Sequence, residues 1–270
     1  ALAEGKVVIK PQFENTFGFS EGLAAVRVQG KYGFIDREGR FVVPPKYDDV
    51  LLRFSRDRTV AVHDGQAWLI DSQGRDIASL GVWPWPGLRS DESFEDLASY
   101  VGYGDFFADG LIPWRKDDRW GYVGLDGRWM IEPQFEMARP FHAGQASVQA
   151  DGRGRLIDVQ GREIASVPRG WWIAPSGGTR LMAGTETQWG FTDASGKLPS
   201  ALPYATIRID FAGQSFVDAR ALQFSEGLAV VSRIAPHRWR VVDTDGHEHA
   251  TGRYDWLQDA GEGLYAVTID

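Results

Sequence analysis

One nine-residue stretch, residues 31–39, recurs along the whole chain and constrains the fold more than any other feature. In this stretch an aromatic residue begins a short apolar run, and the run ends in Asp-x-x-Gly. Later copies, which keep the pattern to different degrees, lie at residues 67–74, 119–127, 155–161, 188–196 and 238–246. Six copies of one strand followed by one turn indicate a repeat protein.

Each copy belongs to a larger unit of three short strands. In the first whole unit we predict strands at residues 19–28, 32–36 and 40–44, joined by glycine-containing turns. Because so few residues separate them, these strands are expected to pair as antiparallel hairpins. A Pro-x-aromatic corner follows the third strand, where a proline is tolerated because it cannot donate to a ladder.

The chain holds six nearly whole units of about 35 residues, and a fragment of a unit flanks them at each end. It is therefore predicted to form one all-β domain over residues 1–270, a tandem array of three-stranded antiparallel units. We expect a curved, β-solenoid-like array. A closed, β-propeller-like ring is the alternative because the terminal fragments are partly complementary, although each unit is one strand short of a propeller blade.

Irregular stretches interrupt the array at residues 81–104, 168–178 and 207–221. In the first of them we predict a short amphipathic helix near residues 90–101, because Ser90 can cap it and its apolar residues share one face. For residues 207–221, a short helix and a loop fit the sequence equally well.

Composition argues against several classes of function. The chain has 29 Lys and Arg against 37 Asp and Glu, a net charge of −8, and no basic cluster, so nucleic acid is not an expected partner. Cysteine is absent, which rules out disulfides and thiolate metal sites. No apolar run is long enough for a transmembrane segment. Residues 1–4 carry no signal peptide, which leaves the compartment open.

The stretch 243–249 is the most tempting metal site, because it begins like a calcium loop and His247 and His249 alternate to one face of a strand. The other repeats favour a different interpretation, since the same slot also holds Asp36, Asp71, Asp158 and Asp193. An Asp that accepts from turn N–H groups, followed by a Gly at positive φ, is typical of hairpins. We therefore predict a structural turn, no metal site and no cofactor.

Catalysis is not expected from this sequence. It contains no Gly-x-Ser-x-Gly elbow and no phosphate-binding loop between a strand and a helix. The residues that could serve as nucleophile or base lie at turns or near strand starts: Ser55, Ser147, Ser166, His63, His142 and His237. The chain is predicted not to be an enzyme, and a hydrolase with an unrecognised site is the alternative.

Four tryptophans stand outside the repeat slots, after paired units of the array. They are Trp83, Trp85, Trp171 and Trp172. Exposed tryptophan is enriched at protein-binding hot spots, so we predict that these residues contact a partner. The alternative is that they pack the gaps made by the irregular stretches, because large insertions need a local core of their own.

The motifs resemble those of the WG-repeat family of bacterial proteins. They are Phe-Ser-Glu-Gly-Leu-Ala at residues 19–24 and 224–229, and the pairs Trp120-Gly121, Trp189-Gly190 and Tyr32-Gly33. The resemblance implies a β-rich repeat protein of bacterial origin, often secreted, periplasmic or fused to other modules. Because family members generally lack an assigned catalytic activity, no active-site residues are transferred. Residue pairs 68–69, 155–156 and 239–240 lack the Gly, so strict symmetry is not expected.

Repeat arrays present extended surfaces that favour recognition over chemistry. The leading hypothesis is a non-enzymatic bacterial scaffold that binds another protein, and an immunity- or adaptor-type role toward a secreted partner is one form of it. The acidic charge favours a basic or amphiphilic protein partner. The alternative is a module that binds cell-envelope glycan (peptidoglycan). A periplasmic or secreted location is favoured over a cytoplasmic one, and the oligomeric state is left open.

Overall fold

The computed structural model describes residues 2–3, 6–51, 53–82, 107–193, 195, 197–198, 202–205, 208–211, 214–217, 227–233, 238–249, 256–261 and 264–268. These residues form strands and turns, with one short helical turn at Ala108–Gly110. Within this part of the chain, no helix has the length and apolarity to cross a membrane. The all-β class is confirmed. The helix predicted near residues 90–101 lies outside the described residues, as do Trp83 and Trp85.

The backbone forms two compact units, residues 1–98 with 104–133 and residues 99–103 with 134–270. The strands of the first unit are β1 (Leu2–Ala3), β2 (Lys6–Val7), β3 (Asn15–Thr16), β4 (Ala24–Val28), β5 (Lys31–Ile35), β6 (Phe41–Tyr47), β7 (Asp49–Val50), β8 (Arg58–His63), β9 (Gln66–Asp71), β10 (Asp76–Val82), β11 (Leu111–Lys116), β12 (Arg119–Gly124) and β13 (Trp129–Phe135), whose last two residues belong to the second unit. They form antiparallel sheets in chain order, β1–β2, β3–β6, β7–β10 and β11–β13.

The second unit contains the remaining strands. They are β14 (Met137–Ala138), β15 (Gln145–Ala150), β16 (Arg153–Asp158), β17 (Glu163–Arg169), β18 (Trp172–Pro175), β19 (Leu181–Gly184), β20 (Gln188–Thr192), β21 (Tyr204–Ala205), β22 (Arg208–Phe211), β23 (Gln214–Val217), β24 (Leu228–Arg233), β25 (Arg238–Asp243), β26 (Trp256–Gly261) and β27 (Leu264–Thr268). Strands β14–β17 form one sheet, β18–β19–β20–β21–β24–β25 form another, and β22–β23 and β26–β27 are hairpins. Among the described strands, no sheet closes on itself.

Three of the sheets have four strands each, whereas we predicted three strands in each unit. The extra strand has two residues: β6 ends at Tyr47 and β7 begins at Asp49, and β13 ends at Phe135 and β14 begins at Met137. The Pro-x-aromatic corner thus carries the chain directly from one sheet into the next. The prediction missed these strands because two residues are too few to show an alternation of apolar and polar side chains.

The Gly of the aromatic-Gly pair is required by the strand that pairs with it. Tyr32 pairs with Tyr47 and Phe34 pairs with Val43, so a step of two residues along β5 matches a step of four along β6. The extra residues of β6 bulge over Gly33. A Cβ atom on Gly33 would lie 2.6 Å from the Val43 carbonyl oxygen, which is closer than real Cβ atoms approach. This close approach explains why the pair ends in glycine.

Two further repeats show the same requirement. A Cβ on Gly121 would lie 2.5 Å from the Ile131 carbonyl oxygen. In the repeat where Arg155 replaces the usual Gly, Gly154 one position earlier takes over the close approach, and a Cβ there would lie 2.7 Å from the Trp171 carbonyl oxygen. The repeat that lacks the aromatic-Gly pair therefore still has a glycine that allows another backbone segment to approach closely.

In the first unit, the glycine that ends the turn packs against the preceding repeat at three positions. These glycines have φ values between 70° and 83°, which favour glycine, and a Cβ on them would press on a side chain of the previous repeat. The contacting pairs in the first unit are Gly39 with Ile9, Gly74 with Val43 and Gly127 with Ala78. The turn therefore sets the step from one repeat to the next.

The core of the first unit joins residues from consecutive repeats. The Phe34 and Phe54 rings lie 4.8 Å apart in an edge-to-face arrangement. Ser20 Oγ donates a hydrogen bond to the Phe54 carbonyl oxygen (2.6 Å), so the turns that open the first two repeats are linked as well. Aromatic packing between repeats thus stabilises the array, as the aromatic-rich composition indicates.

The irregular stretch at residues 207–221 is neither a helix nor a loop over the residues described. Strands β22 and β23 pair there as an antiparallel hairpin, with Arg208 opposite Val217 and Phe211 opposite Gln214. Strands of four residues give too short an alternation for the sequence to predict them.

Candidate functional site

The Asp of each Asp-x-x-Gly turn is engaged by the turn itself. Asp71 Oδ1 accepts hydrogen bonds from the backbone N–H groups of Gln73 (3.0 Å) and Arg75 (2.9 Å), and its Oδ2 accepts one from Arg75 Nε (2.6 Å). The same pattern recurs at Asp36 and Asp158, and its backbone part at Asp193. The prediction of a structural turn is confirmed at these positions.

Asp71 also has a perturbed acidity. Its burial opposes ionisation, but the backbone and side-chain hydrogen bonds from Arg75, the backbone N–H of Gln73 and the charge of Arg75 outweigh that effect and lower the pKa of the Asp71 carboxyl group. The carboxylate form is therefore part of the folded turn. This perturbation has a structural cause and gives no reason to place catalysis here.

The turn at residues 243–249 has the same backbone pattern with different side chains. Asp243 Oδ1 accepts from the N–H groups of Asp245 (3.0 Å) and His247 (2.9 Å). Its Oδ2 lies 3.1 Å from His247 Nδ1 and 2.8 Å from His249 Nε2. Burial opposes ionisation of Asp243, but the hydrogen bonds from His249 and His247 prevail and lower its pKa well below its usual range. The turn prediction is confirmed here too.

The structure places Trp171 and Trp172 in packing positions on two different clusters. Both side chains are half-buried. Trp171 packs against the cluster that includes Leu156, and Trp172 packs against the cluster that includes Trp189. The Trp172 indole N–H donates to the Thr185 carbonyl oxygen (3.0 Å). These two residues therefore help to fill the core of the second unit, and their role in binding a partner stays a prediction.

Two of the residues considered for catalysis occupy equivalent turn positions. Ser55 is bridged to Arg58 and His142 is bridged to Gln145, each across a two-residue turn. His63 stacks on Trp68, with ring centroids 5.2 Å apart and an interplanar angle of 10°. Turn formation and stacking account for the placement of these three side chains.

An exposed apolar side chain recurs three residues after the turn glycine. In the first unit Val8, Ile77 and Met130 hold this position, and they are 50%, 38% and 59% exposed. We call these three residues the exposed row. In the second unit Ile164 holds the same position and is 42% exposed. The equivalent Val42 packs against the core, but the adjacent Phe41 is 44% exposed.

In three of the repeats this position is the extra residue of a β-bulge. Ile70 pairs with Asp76 and Leu69 pairs with Ala78, which leaves Ile77 as the extra residue of the ladder. The registers of β6 and β17 skip Val42 and Ile164 in the same way. Bulges re-aim a side chain, and they are treated as designed features of a sheet. Ile77 and Ile164 are exposed at their bulges, whereas Val42 at the equivalent bulge packs against the core.

An exposed arginine accompanies each of these bulge positions two residues earlier. The arginines are Arg40, Arg75, Arg128 and Arg162, with side-chain exposures of 74%, 76%, 86% and 74%. Each lies within 3.7 Å of an Asp of its own turn. The Asp thus restricts the conformations of an arginine that solvent can reach.

Sequence reasoning did not single out the exposed row, although a signal for it exists. The third strand of each repeat carries apolar residues at consecutive positions, such as Ile77-Ala78 and Met130-Ile131. Two adjacent apolar residues break the period-2 alternation of a half-buried strand, and a bulge is one cause of such a break.

Comparison with solved structures finds likeness at low sequence identity. Hsv2p of Kluyveromyces lactis is 10% identical over 83% of this chain and 72% of its own, with a TM-score of 0.43. A form of KlHsv2 with loop 6CD replaced by a Gly-Ser linker is 9% identical over 84% and 75%, with a TM-score of 0.45. A eukaryotic initiation factor is 10% identical over 93% and 68%, with a TM-score of 0.50. This likeness concerns the fold alone.

Comparison of sequences identifies the repeat. No curated protein sequence matches the chain. Residues 3–32, 32–65 and 120–153 match the family model of the WG containing repeat, and the second and third matches begin at the aromatic-Gly pairs Tyr32-Gly33 and Trp120-Gly121. The resemblance drawn from the motifs is confirmed, and the chain carries repeats of the WG-containing family.

Proposed function

We propose that this chain is a non-enzymatic scaffold that binds a protein partner through the exposed row. The observation that carries the proposal is the recurrence of an exposed apolar side chain at one position of the repeat, in Val8, Ile77 and Met130. A partner that spans several repeats can contact apolar side chains that recur at one repeat position. The turn aspartates, by contrast, are engaged by hydrogen bonds of their own turns.

The chemistry around the row favours a protein as the partner. Met130 follows the half-buried Trp129, Phe41 is exposed, and an arginine precedes each bulge by two residues. Aromatic residues, methionine and arginine are the types enriched at protein interfaces. An arginine already restricted by its turn Asp loses less side-chain entropy when it contacts a partner.

The setting of this interaction is also part of the proposal. A bacterial origin, a periplasmic or secreted location, and an immunity- or adaptor-type role toward a secreted partner rest on the resemblance to WG-repeat proteins. The net charge of −8 adds a preference for a partner with basic groups beside its apolar ones.

The test compares partner recovery by matched variants of the full chain. Ile77→Lys with Met130→Lys removes the apolar character of the row, and Gln160→Lys with Thr187→Lys adds the same charge at exposed positions of the second unit. Each form is used as bait in an extract of the native source, and bound proteins are quantified by mass spectrometry. A protein retained by the wild type and the control pair but lost with the row pair supports the proposal.

Two results contradict the proposal. One is that the row pair retains the same proteins as the wild type. The other is that no protein depends on the row while purified peptidoglycan sediments with the wild type and not with the row pair, because that would assign the surface to glycan.

A further inference from the structure

The Asp-x-x-Gly turn at Asp243, in the last copy of the repeat, departs from the others at the atoms that a metal ion would need. In three of the other turns the second carboxylate oxygen pairs with an arginine Nε, at 2.8 Å in Asp36–Arg40 and 2.6 Å in Asp71–Arg75 and Asp158–Arg162. In the turn at Asp243, His247 replaces that arginine. A second histidine, His249, stands at the bulge position that is apolar in the other repeats.

The two imidazoles converge on one carboxylate oxygen. His247 Nδ1 lies 3.1 Å and His249 Nε2 lies 2.8 Å from Asp243 Oδ2. Two ligands of one tetrahedral zinc ion, with zinc–nitrogen bonds of about 2.1 Å, lie roughly 3.3 Å apart. The carboxylate oxygen is therefore already near the required separation from each imidazole nitrogen.

We infer that Asp243, His247 and His249 form a binding site for a divalent transition-metal ion of the zinc class. Imidazole nitrogen and carboxylate oxygen are ligands that zinc accepts, and neither calcium nor magnesium favours imidazole. Three protein ligands leave a fourth position for water or for a group of a partner.

The backbone holds the ligands in place. Asp243 Oδ1 is fixed by two backbone N–H groups, so Oδ2 stays turned toward the histidines. The His249 N–H donates to the Val241 carbonyl oxygen (2.9 Å), which ties the segment after the turn to β25. Glu248, between the two histidines, pairs with Arg240 instead (3.3 Å). Such outer contacts orient ligands and reduce the cost of binding.

Metal binding would replace the hydrogen bonds among these three side chains. Among the described residues, no group of three His, Asp or Glu side chains is placed to hold a metal ion as it stands, so these three side chains have to rearrange to bind one. Each imidazole donates to Asp243, so it has to move its proton to its other nitrogen before its lone pair can face the metal. The histidine side chains are 75% and 52% exposed, so water can carry out this exchange. The site is expected to be weaker than a closed structural zinc site.

Isothermal titration of the untagged full chain with zinc sulfate tests the inference. The matched variant is His247→Arg with His249→Ile, which restores the arginine and the apolar residue of the fourth repeat and so preserves the turn. We expect the wild type to bind one zinc ion at this turn and the double variant to bind it at least about tenfold more weakly. The reverse change, Arg162→His with Ile164→His, should add one binding site at Asp158.

Two outcomes overturn the inference. One is that the wild type and the His247→Arg, His249→Ile variant titrate identically. The other is that zinc binds neither form. Circular dichroism of both forms establishes that the variant is folded, so a loss of binding cannot be a loss of structure.

Discussion

Gly33 and Gly18 differ in one respect that a substitution can measure. A Cβ on Gly33 would meet the Val43 carbonyl oxygen at 2.6 Å, whereas a Cβ on Gly18 would have nothing within 4 Å, and Gly18 has no positive φ. We therefore expect Gly33→Ala to lower the free energy of unfolding by at least about 2 kcal/mol, because backbone has to move to admit the methyl group.

Urea unfolding of the two variants checks this prediction, with Gly18→Ala as the control. Gly18→Ala should change the free energy of unfolding by no more than about 0.5 kcal/mol. If both variants unfold at the same urea concentration as the wild type, the bulge does not press on Gly33 as described.

Asp71 gives a prediction about pH. Its pKa is lowered in the folded state, because hydrogen bonds from Arg75 and Gln73 outweigh its burial. Its ionised form therefore stabilises the fold at pH values above the unfolded value of about 4, and this contribution is lost as the pH falls through the lower folded value. Asp71→Asn should lower the free energy of unfolding at neutral pH by about 1.5–3 kcal/mol.

The same comparison at about pH 3 tests the role of the charge, because the ionised Asp71 carboxylate stabilises the folded state less at that pH. The gap between the wild type and Asp71→Asn should narrow there. An equal gap at both pH values would mean that the charge of Asp71 contributes nothing to the turn.

Two-residue turns join β4 to β5, β8 to β9, β11 to β12, and β15 to β16, and one of them differs in sequence. The second turn residue is Gly30, Gly65 or Gly152 in three hairpins and Asp118 in the other, where φ is 63°. The Asp118 side chain pairs with Arg115 (2.6 Å) but is 90% exposed, so this ion pair adds little stability.

Asp118→Gly should therefore raise the free energy of unfolding, by about 0.5–1 kcal/mol, because glycine adopts positive φ without a steric cost. The reciprocal change, Gly30→Asp, should lower it by a similar amount. Thermal unfolding of both variants measures the pair. A lower free energy of unfolding for Asp118→Gly, a higher one for Gly30→Asp, or no change in either variant would contradict the assignment of these turns.

At the level of elements, the sequence was sufficient to predict the features that repeat and those whose cause lies within a few residues. The Asp-x-x-Gly turns and the hairpins were predictable because the Asp and Gly act on their own turn. The two-residue strands β7 and β14 were not, because their pairing depends on the corner and not on a pattern. The replacement of the usual Gly by Gly154 also depends on a contact with Trp171, which is distant in the sequence.

The candidate site was predicted less well than the fold. The tryptophans outside the repeat drew attention because their residue type stands out, yet Trp171 and Trp172 are half-buried in the second unit. The exposed row was missed because Ile77 and Met130 look like core residues in the sequence, and the bulge that exposes Ile77 appears only in the structure. Exposure at a bulge depends on the register between two strands, which composition does not reveal.

At the scale of the whole molecule, the solenoid-like array and the propeller-like ring both stay predictions, while the step between repeats of the first unit is defined by contacts. Each turn glycine rests on the residue that follows the bulge position of the preceding repeat, as Gly127 rests on Ala78. Adjacent residues of the same strand thus have different roles. One joins the repeats, and the other faces solvent and is available for recognition.

Met130 and Ile131 test this difference in roles most directly, because they are neighbours with exposures of 59% and 5%. The measurement is the free energy of unfolding, by urea, of Met130→Lys and Ile131→Ala. We predict a change within about 0.5 kcal/mol for Met130→Lys and a loss of about 2–5 kcal/mol for Ile131→Ala. A loss for Met130→Lys as large as that for Ile131→Ala would show that the row serves the core, and would contradict its assignment to partner binding.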